Sequence, residues 1–172
     1  MLIRKVKFSD FKQIVALSDQ GWEEVKDNPD FGDYFSLKKP DNRRKAKWSK
    51  EMYRQVTLGN ILFYVAQEES TIVGVCFVAK KDIPDSEMSH VGVLAIRVAK
   101  DWRNRGIGTT LLEYTIRKSK GKFEILEVFP FVLNRGSKKL YKKFGFKRWG
   151  VAPRYIKRGG RYIDLEYMYL KL

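Results

Sequence analysis

The sequence has a single cysteine and a single histidine, Cys76 and His90. One cysteine cannot close an internal disulfide, and one cysteine with one histidine cannot supply the ligands of a Cys/His zinc cluster. No apolar run approaches the roughly 20 residues that a membrane-spanning helix needs. The opening residues, MLIRKVKF, lack the continuous apolar core of a signal peptide. We therefore expect a cytoplasmic protein without a membrane span, a structural zinc or a bound metal.

Acidic residues are also few in comparison with basic ones. The 172 residues include 35 Lys and Arg but 20 Asp and Glu, which gives a formal net charge of +15. Such a charge favours anionic ligands, nucleic acid or acidic protein surfaces. The basic residues are spread along the chain and are densest at residues 38–50 and 117–122. Because such runs are more often a solvated surface than a dedicated binding surface, the charge by itself assigns no partner.

Residues that build a core are abundant. Hydrophobic residues make up 44% of the sequence and aromatic residues 14%, a composition that excludes disorder. A single domain of this length buries roughly two-thirds of its unfolded surface. The sequence contains no internal repeat and no low-complexity segment, so we expect residues 1–172 to form one domain.

Hydrophobic periodicity in the first half predicts two helices followed by a hairpin. A short strand at residues 2–6 precedes an amphipathic helix, for which Ser9 or Asp10 is the expected cap. A turn-rich segment separates it from a second helix. The β-branched and aromatic runs at residues 61–66 and 71–79 then predict two antiparallel strands.

The second half predicts a strand, helix, strand, helix unit and a last strand. After a polar loop, the continuous apolar run at residues 90–98 is typical of a central strand. A helix follows, then a strand at residues 123–129 and a helix that Gly145 terminates. The final strand follows the Gly159-Gly160 turn. This layout predicts a mixed α+β fold, with antiparallel strands first.

The turn RNRGIG, from Arg103 to Gly108, lies between the central strand and the next helix. A helix N-terminus presents unpaired N–H groups and the positive end of the helix dipole, and glycines let a phosphate approach closely. Arg103 and Arg105 add charge-assisted donors for phosphate oxygens. The turn matches neither GxxxxGK[ST] nor GxGxxG, since Leu111 stands where the third glycine belongs. Two glycines alone would also fit a simple tight turn, so a second motif is needed.

This turn and a second segment together resemble the GNAT superfamily of acyl-CoA-dependent N-acetyltransferases. Residues 103–108 match that family's (Q/R)xxGx(G/A) signature. NRGSKKLYKKFGF is similar to the family's NxxAxxLYxxxGF segment, with matches at Asn134, Leu140, Tyr141, Gly145 and Phe146. The resemblance covers roughly residues 91–172, and the first half agrees in its order of elements. It implies a mixed, mainly antiparallel central sheet of about seven strands, with flanking helices and a splayed acyl-CoA cleft.

The resemblance also implies acetyl-CoA as the acyl donor, with coenzyme A as the anion that the turn holds. Backbone groups of Ile96 and Val98 would contact the pantetheine arm, which enters the gap between their strand and the next. Asn134 would contact the pantetheine as well. The connection from the preceding strand to Asn134 is about two residues longer than is usual in the family. Ser137 stands where the family often has alanine. The pyrophosphate would bind the backbone amides of Arg103, Asn104, Arg105, Gly106, Ile107, Gly108 and Thr109.

Direct attack of an amine on the thioester requires a neutral amine, a polarised carbonyl and a proton for the leaving thiolate. The N–H of Val98 would polarise the carbonyl. The resemblance implies Tyr141 as the general acid, whereas spacing alone is typical of a packing aromatic on an amphipathic helix. Glu127 resembles a strand glutamate that some members use as the base, and a solvated strand position is the alternative. Other candidate bases are Glu87, Asp164 and Glu166, while His90 and Cys76 are expected to be structural.

Two functions stay open from the sequence. The first is an N-acetyltransferase whose acceptor is the primary amine of a small molecule, an amino acid, or a protein lysine or N-terminus. The second is a basic nucleic-acid-binding or regulatory module on the same fold, which would use residues 38–50. No DNA-reading motif or base-stacking signature supports specific nucleic-acid binding. The positive charge disfavours polyamine acceptors. Many GNAT members dimerise, so a homodimer is a candidate assembly.

Overall fold

Seven β-strands and four α-helices form from the residues that the computed structural model describes, 1–27, 39–81 and 87–172. Two short 3-10 turns, Phe8–Asp10 and Lys100–Trp102, precede the first and third helices. In chain order the elements are β1 (Leu2–Lys5), α1 (Phe11–Asp27), α2 (Asn42–Thr57), β2 (Ile61–Glu68), β3 (Thr71–Lys80), β4 (Val91–Val98), α3 (Ile107–Ser119), β5 (Ile125–Val128), α4 (Arg135–Lys143), β6 (Lys147–Arg158) and β7 (Arg161–Lys171).

All seven described strands lie in one sheet, in the order β1-β2-β3-β4-β5-β7-β6. Each neighbouring pair is antiparallel except β4 and β5, which run parallel. The predicted α+β class and mainly antiparallel seven-stranded sheet are confirmed. The turn-rich segment expected between the first two helices lies largely outside the described residues, as does most of the polar loop before β4.

β6 is the strand that the element-by-element sequence prediction missed. Its residues KRWGVAPRYIKR are mostly exposed, so the strand has no continuous alternation of buried and exposed positions. Its pairing with β7 shifts register twice, between Arg148 and Gly150 and between Ala152 and Ile156. Within the second irregularity Arg154 has a φ of 53°, and its N–H donates to Asp164 Oδ1 at 2.7 Å. These irregularities break the period of two by which a strand is recognised.

The helices cover the two faces of the sheet, and alternation along the strands divides the core accordingly. On β2 and β3, Tyr64 and Cys76 point to the α3 face, where they pack with Leu111. Phe63 and Val75 point to the opposite face and pack beneath α1 and α2. The period of two in both strands therefore places a separate core on each side of the sheet.

The predicted caps of the first helix have a different role. Asp10 lies in the 3-10 turn before α1, and its carboxylate accepts the N–H of Lys7 at 2.7 Å. The same carboxylate forms an ion pair with Arg4 at 2.7 Å, and this hydrogen-bonded arginine lowers the pKa of Asp10. Asp10 therefore fixes the entry to α1 from β1. No helix among the described residues is long and apolar enough to cross a membrane.

The parallel β4–β5 joint is short. Its registered pairs are Val91 with Ile125, Gly92 with Leu126 and Val93 with Glu127. β4 continues to Val98, whereas β5 ends at Val128, two residues before Pro130. Proline cannot donate a ladder hydrogen bond, which is consistent with a strand end there. The described parts of β4 and β5 thus separate after three pairs, and the second half of β4 presents an open edge.

Candidate active site

The open edge of β4 directs backbone groups into the gap beside β5. The N–H of Ala99 donates to Val73 O at 2.9 Å, so this residue faces β3. Because N–H and C=O groups alternate in direction along a strand, Ile96 and Val98 face the other way, toward the gap. The Val98 carbonyl accordingly accepts a hydrogen bond from the Arg103 side chain rather than from β3. An extended ligand could pair with this edge as an additional strand does.

The turn after β4 presents backbone amides at the end of the same gap. Asn104 and Gly106 have φ values of 61° and 81°, so the chain reverses in left-handed conformations before α3 begins. The first i to i−4 bond of the helix runs from Thr110 N to Gly106 O at 3.0 Å. The helix geometry therefore leaves the amides of residues 107–109 without an intrahelical acceptor. Arg105 lies over the Trp102 ring at 4.9 Å, which keeps its charge beside the turn.

Gly108 lies where the turn meets both walls of the gap. A Cβ built at this position would lie 3.6 Å from Leu140 Cδ2 of α4 and 3.6 Å from Val98 Cγ2 of β4. These are ordinary contact distances, so a methyl group fits without moving either neighbour. A longer side chain would extend between β4 and α4. Gly108 therefore borders the space that the resemblance assigns to the acyl donor.

The Arg103 side chain has partners within the protein. Its Nη2 pairs with Glu24 Oε2 at 2.8 Å, and its Nε donates to Val98 O at 3.0 Å. The guanidinium thus joins α1 to the end of β4, and its backbone N–H donates to Lys100 O. Because these groups already have acceptors, Arg105 is the better placed of the two arginines to supply charge to a phosphate. The second oxygen of Glu24, Oε1, is buried without a hydrogen-bond partner.

The expected acid and the expected base lie on opposite faces of the sheet at the splay. Tyr141 is buried on α4, within the core of the α3 face, and its ring is 5.5 Å from that of Phe146. Leu126 and Val128 of β5 point to the same core. Glu127 lies between them and therefore points to the opposite face, at the last paired position of the β4–β5 joint.

Glu127 is largely buried and carries an ion pair. Its side chain is 11% exposed, and Oε2 lies 2.8 Å from Lys81 Nζ. Tyr167 lies near this carboxylate. The pKa of Tyr167 is raised, chiefly by burial and to a smaller extent by a hydrogen bond with Tyr155 and by the negative charge of Glu127. Glu127 is thus a lysine-paired carboxylate at the point where the strands separate, and the solvated alternative does not describe it.

The other candidate bases have structural partners. Glu166 is 4% exposed, and its carboxylate pairs with Lys138 Nζ at 2.8 Å, which ties α4 to β7. Asp164 accepts the N–H of Arg154 at the irregular position of β6. His90 places Nδ1 3.1 Å from the carbonyl of Glu87 at the start of β4. The first two contacts join separate elements, and the third lies within the turn before β4.

The side chains of Asn134 and Ser137 cap α4. Asn134 Oδ1 accepts the N–H of Ser137 at 3.1 Å, and Ser137 Oγ donates to Asn134 O at 3.2 Å. This satisfies one of the amides that a helix N-terminus leaves unpaired. Contact of either residue with pantetheine stays a prediction.

Cys76 lies in the core of the α3 face and is fully buried. Burial raises the pKa of its thiol to about 12, against a smaller opposing effect of a hydrogen bond with Thr115. The thiolate is therefore not available near neutral pH, in agreement with the expected structural role. Among residues 1–27, 39–81 and 87–172, no three His, Cys, Asp or Glu side chains gather where they could hold a metal ion.

A pocket of about 470 Å³ lies on the α1/α2 face of the sheet. Ala95 and Arg97 of β4 form part of its floor, and Trp22 of α1 and Trp48 of α2 form part of its walls. Sequence reasoning did not find this pocket, because its lining comes from two helices and three strands that are distant in sequence. It did not find Glu24 or Lys81 either, since their partners are distant along the chain.

The fold and site define an α+β protein of the GNAT type, with unpaired helix N-terminal amides beside a splayed parallel joint. Residues 59–148, more than half of the chain, match the family described as the acetyltransferase (GNAT) domain. The chain belongs to this family.

Relatives with known sequence or structure agree with this assignment. The chain is 35% identical over 82 residues to the L-amino acid N-acetyltransferase AaaT of Escherichia coli strain K12, a match that spans 46% of this chain and 51% of that protein. Its fold is similar to that of a ribosomal-protein-alanine N-acetyltransferase from Brucella melitensis, with a TM-score of 0.84, 24% identity and full coverage of both chains. It is also similar to yncA, a putative acetyltransferase from Salmonella typhimurium with its cofactor acetyl-CoA, with a TM-score of 0.83, 18% identity and coverage of 100% and 94%.

Proposed function

We propose that this chain is an N-acetyltransferase that transfers the acetyl group of acetyl-CoA to a primary amine. The observation that carries the proposal is the splayed β4–β5 joint, which opens beside the N-terminus of α3. One long anionic ligand would use both features: strand-like pairing along β4 and amide donors at the helix end. Family membership supports the reaction type, and the acetyl-CoA in the similar yncA structure supports the donor.

The residues present fit such a donor. The amides at residues 107–109 would hold the pyrophosphate, and Arg105 would add a positive charge beside it. The backbone groups of Ile96 and Val98 that face the gap would pair with the pantetheine arm. Gly108 leaves the space between β4 and α4 open. Acetyl-CoA would supply an activated thioester. Residues of the chain would polarise its carbonyl group and carry out the proton transfers.

Three groups at the splay would support direct attack of the amine on the thioester. The N–H of Val98 would donate a hydrogen bond to the carbonyl oxygen as it gains negative charge. Glu127, on the α1/α2 face, would take the proton of the acceptor amine. Tyr141, on the α3 face, would give a proton to the leaving thiolate. The arrangement places the proposed base and the proposed acid on opposite faces of the sheet, so that each can serve one of the two substrates.

The class of acceptor includes small-molecule amines, amino acids, and protein lysines or N-termini. The cytoplasmic location and the homodimer expected from the sequence stay predictions.

Gly108→Glu tests the proposed function, with Gly108→Ala as the matched control. At ligand concentrations near 100 times Kd, coenzyme A should stabilise the wild type by about 2.7 kcal/mol, or roughly 5 to 10 °C in Tm. The introduced glutamate side chain would put bulk and negative charge into the donor space, so both stabilisation and acetyl-CoA-dependent thiol release should be lost. The control should keep both, because a Cβ meets its neighbours at 3.6 Å.

A negative charge in the first turn of α3 favours the helix dipole, so the Gly108→Glu variant should remain folded. Circular dichroism and the Tm without ligand check this. Coenzyme A binding by folded Gly108→Glu at wild-type affinity would contradict the proposed donor site.

A further inference from the structure

The pocket on the α1/α2 face has the size of a small-molecule site. Its volume of about 470 Å³ falls within the ~300–1,000 Å³ typical of such pockets. The described apolar lining comes from both helices and from the sheet: Ile14, Val15, Leu17, Trp22, Pro40, Trp48, Phe63, Val75, Phe77, Ala95 and Ile96. Such a lining would bury an apolar or aromatic body of modest size.

The charged part of the lining is predominantly positive. Among the described lining residues, the charged ones are Asp19, Arg44, Lys45 and Arg97. Asp19 Oδ2 pairs with Lys45 Nζ at 2.7 Å, so these two charges offset each other. Arg97 is held against α1, and Arg44 adds an exposed guanidinium to the described lining. A ligand with a carboxylate matches this potential, and a polycation does not.

Arg97 is a fixed charge at the pocket floor. Its Nη1 donates to Ser18 O of α1 at 3.2 Å. A Cβ at Gly21 would lie only 2.9 Å from Arg97 Cζ, so the absence of a side chain at Gly21 lets the guanidinium lie against α1. This contact determines where the charge lies and limits how far it can move.

Arg44 supplies the guanidinium that can reach a ligand. It is exposed and lines the pocket from the first turn of α2. No carboxylate of the described residues lies within ion-pair distance of its guanidinium. A guanidinium presents a planar set of donors that matches a carboxylate in two parallel hydrogen bonds.

The pocket lies on the same face of the sheet as Glu127. Ala95 and Arg97 project toward α1 and α2, because they pair with Phe77 and Val75, which point to that face. Val93 is the next residue of β4 on this face, and it pairs with Glu127 across the joint. A ligand in the pocket could therefore extend its amine along β4 toward Glu127.

We propose that the acceptor is a small primary amine with a carboxylate next to an apolar or aromatic side chain, the chemistry of a free apolar α-amino acid, and that Arg44 binds its carboxylate. This inference rests on the proposed acetyltransferase function. A peptide N-terminus lacks a carboxylate beside its amine, and a polyamine offers the Arg44 guanidinium no carboxylate. Both fit the pocket less well than a free amino acid.

The test compares acceptors that differ only in the carboxylate. L-Phenylalanine, L-phenylalanine amide, 2-phenylethylamine, a tetrapeptide that begins with phenylalanine, and spermidine are assayed with acetyl-CoA and the wild-type protein. Binding of each amine to the protein with coenzyme A is measured by calorimetry as a second readout. We expect kcat/KM and affinity to be about tenfold higher for L-phenylalanine than for its amide or 2-phenylethylamine.

Arg44→Gln and Arg43→Gln form a matched pair, since Arg43 is the adjacent exposed arginine of α2 and does not line the described pocket. Arg44→Gln should raise KM for L-phenylalanine about tenfold while kcat changes little. Its kcat/KM for 2-phenylethylamine should stay within about threefold of wild type. Arg43→Gln should leave both acceptors at wild-type values.

Equal use of L-phenylalanine and 2-phenylethylamine overturns the proposal, and so does preference for the peptide or spermidine. Equal effects of the two arginine variants also overturn it, because general charge would then explain the change. If coenzyme A binds but none of the carboxylate-bearing amines does, the acceptor inference fails while the donor site stands. If coenzyme A does not bind to the wild type, the proposed function itself fails.

Discussion

At the scale of single residues, the proposed acid and the proposed base at the splay occupy different faces of the sheet. Tyr141 packs in the core of the α3 face, and Glu127 points to the α1/α2 face beside Lys81. In the proposed mechanism, this separation lets Tyr141 serve the leaving thiolate and Glu127 the attacking amine.

Tyr141→Phe tests the acid role, because it removes the hydroxyl and keeps the ring that packs against Phe146. If proton donation to the thiolate limits the rate, kcat should fall roughly 10²- to 10⁴-fold. The affinity for acetyl-CoA should change little. Turnover at saturating substrates and donor affinity by calorimetry are the two measurements.

Phe146→Leu is the control for packing, since it alters the neighbouring ring and leaves the Tyr141 hydroxyl in place. It should reduce stability by about 1 kcal/mol and leave kcat near wild type. If Tyr141→Phe retained kcat within about threefold while chemistry limits the rate, Tyr141 would be a packing residue only.

Motif residues and their long-range partners differ in how well the sequence predicts them. The turn at residues 103–108 could be predicted, because backbone conformation and helix start are encoded locally. The partner of Arg103 could not, since Glu24 lies 79 positions earlier in the chain. Local motifs specify which amides are available, whereas the tertiary fold determines which charged side chains remain available to a ligand.

At the scale of elements, β2, β3 and β4 were predicted because their apolar runs are long and bounded by turn residues. β6 was not, because it is an edge strand with two irregularities and few buried positions. The start of α4 was predicted in part. The resemblance identified Asn134 as a ligand contact, and the structure shows that its side chain caps the helix.

Asn134→Ala and Asn134→Asp separate the cap from any ligand contact. The Ala variant loses the bond to the Ser137 N–H and should be about 1 kcal/mol less stable to urea unfolding. The Asp variant keeps an acceptor at the helix N-terminus, so it should unfold near the wild-type midpoint.

Calorimetry with coenzyme A then reports on the amide. If the Asn134 side chain also donates to pantetheine, the Asp variant should be stable but bind more weakly. Wild-type stability of Asn134→Ala would show that the cap contributes nothing. Wild-type affinity of the Asp variant would remove Asn134 from the donor site.

At the scale of the whole molecule, the charge of +15 raises the question of nucleic-acid binding. The run at residues 38–50 is the segment expected to bind nucleic acid in that alternative. Its exposed basic residues on α2 are Arg43, Arg44, Lys47 and Lys50, and Lys38 lies outside the described residues. Binding that depends on charge alone releases counterions and weakens steeply with salt.

Fluorescence anisotropy with two unrelated DNA duplexes, at about 50 and about 200 mM salt, tests this alternative. We expect equal affinity for both duplexes at low salt and a loss of about 10³-fold or more at high salt if six or more phosphates are contacted. Coenzyme A should still stabilise the protein at the higher salt concentration. A preference for one duplex that persists there would instead support a nucleic-acid-binding module.

The short parallel joint also has a consequence for synthesis on the ribosome. β1 to β4 pair with one another within the chain up to Val98, so this half of the sheet can form before β5 is made. β5 has only three registered pairs with β4, and its other edge pairs with β7, Arg161–Lys171. The nascent chain must therefore hold an unpaired edge at Ile125–Val128 until β7 emerges from the exit tunnel, and this interval is when a ribosome-associated chaperone would have most to shield.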